Sequence, residues 1–81
     1  MRIRYFAWLR ERVGTPREEV ETEAPTVAAL VEELRARSEA HAHALSDLRS
    51  VRAALDGRMV EMDAPLDGAE ELALFPPMTG G

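Results

Sequence analysis

Only one stretch of this chain carries the complete apolar stripe of a helix, and nearly everything else reads as short strands and turns. Val27, Leu30, Val31 and Leu34 recur at i, i+3, i+4 and i+7, which places them on one face of an α-helix. Pro25 ends whatever precedes it, and Thr26 is a good N-cap. Ala29 stands where a capping box needs Glu or Gln, so Thr26 must cap alone. The periodicity predicts a helix from Val27 to about Arg37. The 81 residues allow one domain, which buries only about 60–65% of its unfolded surface. One small core has to suffice.

The flanking segments alternate instead. From Arg2 to Trp8, Ile3, Tyr5 and Ala7 share one face, while Arg4, Phe6 and Trp8 share the other. Leu9 to Val13 forms a helical turn that Gly14 stops. Thr15-Pro16 is a turn, and Arg17 to Glu23 reads as a weak second strand in which only Val20 is apolar. Beyond the main helix, Ser38 to Leu48 is expected to be helical in part, with Ala44, Leu45 and Leu48 inward. Val51, Ala53 and Leu55 alternate as a third strand. Asp56-Gly57 is a two-residue hairpin signal, since both positions tolerate positive φ, and Met59 to Met62 returns as a fourth strand. Asp63 to Gly68 is a loop containing Pro65, and Glu71 to Phe75 is the last strand. Two strand pairs around one helix, closed by a fifth strand, are the plan of an α+β, β-grasp domain: a mixed sheet of about five strands with the helix across one face. Residues 1–75 form that domain and residues 76–81 an extended tail.

Composition narrows the chemistry. There is no cysteine, which removes disulfides, thiolate nucleophiles and cysteine-based metal sites. There is no lysine either, so Schiff-base and lysine general-base chemistry are absent. The ten basic residues are all arginines and look scattered. With a net charge of −5, the chain is a poor ligand for nucleic acid, and a partner with a basic face is the better electrostatic match. No apolar run approaches the roughly 18 residues needed to cross a bilayer, and the alternating N-terminus is unlike a signal peptide. A cytosolic setting is expected. His41 and His43 stand two residues apart on a helix and diverge by about 200°, so no metal site is expected and both are read as solvated. Glu18, Glu19, Glu21 and Glu23 read as an exposed strand face, and Arg10 and Glu11 as solvated or, second, as partner contacts. Trp8 covers a core edge or belongs to an interface.

The chain ends in Gly80-Gly81. Alone, this is equally a frayed end. Its setting points elsewhere. Phe75 precedes a proline and is held extended, and Pro76-Pro77 favours a stiff polyproline conformation. From Pro76 to Gly81 the tail reaches about 20 Å at roughly 3.3 Å per residue, the shape of a probe for a tunnel in another protein. Glycines without Cβ permit close passage of backbone, and an activated glycine terminus cannot racemise. With no cysteine present, the Gly81 carboxylate is the one plausible place to hold sulfur, as a thiocarboxylate made from an acyl-adenylate.

The stretches Phe6-Ala7-Trp8-Leu9-Arg10-Glu11-Arg12-Val13-Gly14 and Phe75-Pro76-Pro77-Met78-Thr79-Gly80-Gly81, with Pro25-Thr26-Val27 and Pro65-Leu66-Asp67-Gly68 between them, resemble the MoaD/ThiS sulfur-carrier family, ubiquitin-like proteins that include the small subunits of molybdopterin synthase. The resemblance spans the chain and is specific at its C-terminal motif. Ala69 departs from it, where many relatives carry an acidic residue. The resemblance implies that a MoeB-like adenylating enzyme activates Gly81 with ATP, that a sulfur donor converts it to the thiocarboxylate, and that the tail enters the synthase large subunit to sulfurate a pyranopterin precursor. No permanently bound cofactor is implied, and the catalytic side chains would belong to the large subunit. Two further classes stand beside this one: the same chemistry in another pathway, such as thiamine synthesis or ubiquitin-like protein modification, and a β-grasp interaction module with an inert tail. Strand parity adds a docking surface. Ile3, Tyr5, Val60, Leu72 and Leu74 face the helix, whereas Phe6, Met59, Ala73 and Phe75 face away. Phe6, Met59 and Phe75, with Pro76, Pro77, Met78 and Thr79 of the tail, are the expected partner-binding residues.

Overall fold

The computed structural model describes residues 1–77. Five strands form one mixed sheet in the order β2-β1-β5-β3-β4, comprising β1 (Arg2–Tyr5), β2 (Arg17–Glu19), β3 (Arg52–Leu55), β4 (Arg58–Val60) and β5 (Glu71–Phe75). The last strand therefore takes the centre, parallel to β1 and antiparallel to β3. Helix α2 (Val27–Arg35) lies on one face, with the shorter α1 (Trp8–Val13) and α3 (Glu39–Ala44) beside it. This is the β-grasp arrangement expected from the element order.

The core lies between α2 and one sheet face. Val27, Leu30, Val31 and Leu34 meet Ile3, Tyr5, Ala53, Leu55, Leu72 and Leu74, all buried. Each fully buried aliphatic side chain of this kind stabilises the fold by about 1.5–3 kcal/mol. The register follows the parity rule: Ile3 pairs with Leu72, Tyr5 with Leu74, Ala53 with Leu74 and Leu55 with Leu72.

The first three N–H groups of α2 all find acceptors. Thr26 Oγ1 accepts the Ala29 N–H at 3.1 Å. The Val27 and Ala28 N–H groups donate to the carbonyls of Ala64 and Met62 at 3.0 and 2.8 Å. These bonds tie the loop after β4 onto the helix, so Met62 does not continue the strand as its alternation suggested, and β4 stops at Val60. At the β3–β4 turn, Asp56 and Gly57 take φ of 48° and 82°, the two positive values that such a turn requires. Asp56 Oδ1 also accepts the N–H groups of Glu70 and Glu71 at 3.1 and 3.0 Å, and so fastens the turn to the start of β5.

Three further boundaries differ from the sequence reading. The first strand stops at Tyr5, because Ala7 adopts φ 54° and the chain turns into α1 one residue before Leu9; this drives Leu9 fully into the core. Trp8 thus sits on a helix, half-buried against the core, with the Arg12 guanidinium 4.5 Å from its ring centre. Strand β2 is three residues long, not seven. The main helix ends at Arg35, where the Ala36 and Arg37 N–H groups bond back to carbonyls of its last turns.

Two polar residues expected in solvent are instead part of the interior. His41 is buried, while its neighbour His43 is exposed. Glu18 is only 16% exposed at its side chain. The Tyr5 hydroxyl donates to Glu18 Oε2 at 2.7 Å. His41 Nε2 lies 2.7 Å from the same oxygen, and His41 Nδ1 lies 2.7 Å from Ser38 Oγ. A carboxylate only accepts, so Nε2 carries a proton toward Glu18, and Nδ1 shares its bond with the Ser38 hydroxyl. Arg37 Nη2 completes the set, 3.3 Å from Glu18 Oε1. Burial opposes the charge on Glu18, but the hydrogen bonds from His41 and Tyr5 and the nearby positive charges outweigh it and hold its pKa below the usual carboxylate value. Burial, reinforced by the bond to Glu18, pushes the Tyr5 phenol well above its usual range.

A depressed carboxylate pKa stabilises the fold above the unfolded-state value of about 4.3 and ceases to do so as pH falls through the folded-state value. Glu18→Gln should therefore cost about 1–3 kcal/mol at neutral pH. The deficit relative to wild type should shrink below about pH 4. Urea unfolding of both proteins from pH 7 to pH 3 measures it; a deficit that stays constant across that range would show that the charge on Glu18 contributes nothing.

Candidate functional site

Strand β5 carries the chain to the site. It lies at the middle of the sheet, between β1 and β3. Phe75 pairs with Arg52 of β3, and the Phe6 N–H donates to the Leu74 carbonyl at 3.1 Å beside it. Pro76 and Pro77 follow, both half-buried. They can donate nothing to a neighbouring strand, so strand pairing ends at Phe75. The expected tail residues Met78, Thr79, Gly80 and Gly81 lie outside the described residues.

The sheet face opposite α2 has the composition that parity predicted. Phe6 and Met59 are the exposed large apolar side chains among the described residues, at 36% and 70%. Ala73 and Phe75 are half-buried. Phe6 lies past the end of β1, yet the Arg4 guanidinium stacks 4.9 Å from its ring centre, which puts it on the Arg4 side, away from the core. Ala54 joins this face through its pairings with Ala73 and Met59. It is buried although it takes no part in the helix-side core. Helix-facing Ile3, Tyr5, Leu72 and Leu74 are buried and Val60 half-buried, as expected. The structure thus brings Phe6, Met59 and Phe75 onto one open surface at the root of the tail.

Sequence reasoning missed a grouping on this surface. Four of the ten arginines share it: Arg2, Arg4, Arg17 and Arg52 lie on strands at positions on the same face as Ala73, Ala54 and Met59. Glu71 lies among them, 2.8 Å from Arg2 Nε and 3.9 Å from Arg4 Nη1. Extending the parity of Met59 and Phe75 to every strand would have found them, but that needs the register of β2 and β3, which composition does not supply. No group of three or more His, Asp or Glu placed to hold a metal ion occurs among the described residues. No helix among them is long and apolar enough to cross a membrane.

The comparisons agree with this architecture. The sequence model of the ThiS family matches residues 3–81. The molybdopterin synthase sulfur carrier subunit of Escherichia coli is 42% identical over 81 residues, covering 100% of this chain and 99% of that protein. The protein of the same description from Haemophilus influenzae is 27% identical with the same coverage. Among solved structures, SAMP1 from Haloferax volcanii superposes with a TM-score of 0.75 at 26% identity, covering 100% of this chain and 98% of that one. A sheet with its last strand at the centre, a proline-marked exit beside an open apolar face and a family match across almost the whole sequence lead to one assignment: the chain belongs to the ThiS/MoaD family of sulfur carriers.

Proposed function

We propose that the chain carries sulfur on its C-terminal glycine for molybdopterin synthesis. A MoeB-like enzyme uses ATP to adenylate the Gly81 carboxylate, with release of pyrophosphate. A sulfur donor then displaces AMP and leaves the thiocarboxylate. The tail enters the synthase large subunit, whose side chains supply the catalysis, and gives its sulfur to a pyranopterin precursor. ATP is consumed by the partner and no cofactor stays on this chain. The setting is cytosolic.

One observation carries the reading: the central strand β5 leads directly into Pro76-Pro77 at the edge of the open apolar face. A rigid root beside a docking surface fixes where a tail enters a partner, which is how a reactive terminus is positioned without a catalytic group of its own. The absence of Cys and Lys is consistent with a terminal carboxylate as the reactive group. The thiamine and protein-modifier alternatives would use the same activated terminus, and the 42% identity to the Escherichia coli molybdopterin synthase subunit favours the first pathway. Phe6, Met59, Phe75, Pro76, Pro77, Met78 and Thr79 bind the partner, and Gly80, without a Cβ, lets the chain pass closely enough to deliver Gly81.

Incubation with ATP, the adenylating enzyme and a sulfur source should replace one oxygen by sulfur at the C-terminus, visible by intact-mass and fragment-ion spectrometry. An unchanged mass in the presence of an enzyme that adenylates a control carrier would overturn the proposal.

A further inference from the structure

We infer that Asp67-Gly68, in the loop before β5, is a site of spontaneous aspartate isomerisation, and that the fold protects the identical dipeptide Asp56-Gly57 from the same reaction. The reaction needs neither partner nor cofactor and stands apart from the carrier chemistry.

The chain contains no asparagine and four aspartates, Asp47, Asp56, Asp63 and Asp67. In an Asp-Gly pair the glycine nitrogen reaches the aspartate Cγ readily, because no Cβ on the glycine blocks the approach. The N–Cγ bond forms, the nitrogen gives up its proton, and a carboxyl oxygen leaves as water. The product is a cyclic succinimide. Water then adds to one of its two carbonyls. Opening at one restores aspartate, and opening at the other leaves isoaspartate, with the chain running through the β-carboxyl. Nothing is oxidised or reduced, and the final mass equals the starting mass. Asp47 and Asp63 precede Leu48 and Ala64, whose side chains hinder the attack, whereas Asp56 and Asp67 both precede glycine.

The two Asp-Gly pairs share one backbone conformation. Asp56 and Gly57 take φ of 48° and 82°, and Asp67 and Gly68 take 50° and 79°. Leu55 pairs with Arg58 across the first turn, and the Ala69 N–H donates to the Leu66 carbonyl at 2.9 Å across the second, so both are two-residue turns of the I′ type. All four residues are exposed, and both aspartates line the same groove. Sequence, turn type and access to water are thus matched, and what differs is how each aspartate is held. Asp56 Oδ1 accepts the N–H groups of Glu70 and Glu71 at 3.1 and 3.0 Å, and its Oδ2 lies 3.3 Å from the Glu70 nitrogen. The Asp56 N–H donates to the Glu71 carbonyl at 3.0 Å. Among the described residues, no donor binds the Asp67 carboxylate and the Gly68 N–H has no acceptor. Ring closure also rotates the aspartate backbone out of the left-handed turn, which L-residues disfavour. At Asp56 that rotation breaks the bonds to the start of β5 and opens the β3–β4 hairpin. At Asp67 it breaks the one bond between Leu66 and Ala69.

The test is prolonged warm incubation of the full chain, folded and in urea, at about pH 5, where an aspartyl carboxyl is still partly protonated. Isoaspartate is located by electron-transfer fragment ions and by resistance to an endoproteinase that cuts before aspartate. In the folded chain it should accumulate at position 67 at least about tenfold faster than at 56. That factor corresponds to about 1.4 kcal/mol, no more than one hydrogen bond to a charged group commonly contributes. In urea the two sites should convert at similar rates, because only the fold distinguishes them. The isoaspartyl form adds a backbone atom to a turn whose Leu66 is buried and whose Leu66 N–H donates to the Pro25 carbonyl at 3.1 Å, so aged wild type should show a lower urea midpoint. Asp67→Gly, in which glycine suits the positive φ, should fold and keep its midpoint through the same incubation. Equal rates at 56 and 67 in the folded chain overturn the inference, as does a folded chain that stays unmodified at 67 while the unfolded one converts. A fall in midpoint of aged Asp67→Gly as large as that of wild type overturns the assignment of the damage to this turn.

Discussion

Removal of Gly80 and Gly81 should abolish sulfur transfer and leave the folded domain as stable as before. The buried core is assembled from residues between Ile3 and Leu74, so the truncation deletes no core side chain, and the unfolding free energy should change by less than about 0.5 kcal/mol. The loss of function should nonetheless be total. The proposed chemistry resides in one carboxylate at the end of a tail of fixed reach, and truncation moves the terminus back by two residues, roughly 7 Å, to Thr79. A β-branched threonine cannot follow a backbone path built for glycine, and its carboxylate stops short of the activating site. Denaturant unfolding and an assay for dithiolene formation with the reconstituted synthase provide the two readouts. A truncated chain that still supports dithiolene formation would remove Gly81 from the mechanism.

Phe75→Ala should separate docking from folding. Phe75 and Leu74 are adjacent on the central strand and point to opposite faces. Leu74 is fully buried under the helices, and Phe75 is half-buried on the open face. Truncation of Leu74 removes core packing and leaves a cavity, at a cost of about 2–5 kcal/mol in stability. Truncation of Phe75 removes an aromatic anchor at the root of the tail, where such side chains commonly contribute about 2 kcal/mol or more to binding. This corresponds to at least about a 30-fold weaker complex with the large subunit. Calorimetric titration and urea unfolding of both variants decide the matter. Equal destabilisation by the two substitutions would place Phe75 in the core and remove it from the interface.

The elements that local rules govern were legible in the sequence. The α2 stripe, the Thr26 cap, the Asp56-Gly57 turn and the Glu71–Phe75 strand all appear where periodicity and turn chemistry placed them, because each depends on residues within a few positions of one another. Parity along single strands was equally readable, and it assigned Phe6, Met59 and Phe75 to the open face. Glu18 and His41 were misread although a local signal existed. Glu18 lies two residues before the buried Val20, which follows β2, and His41 lies three and four residues before the buried Ala44 and Leu45 at the end of α3, so each shares a face with an apolar neighbour. Their polarity suggested solvent, and only their mutual contact, with Tyr5 and Ser38, makes burial affordable.

Reactivity and placement divide in the same way. The sequence by itself determined that this chain has no cysteine thiol or lysine amine to work with and that Gly80-Gly81 follow two prolines; bond chemistry and local stiffness depend only on residue identity and order. Tertiary structure alone decided that the last strand lies at the centre of the sheet, that Arg4 faces Arg17, and that four arginines spread along fifty residues share one sheet face with Phe75 and Met59. Strand order and register are set by which faces bury together in the core, and no local pattern in the sequence encodes the distance between residues so far apart along the chain.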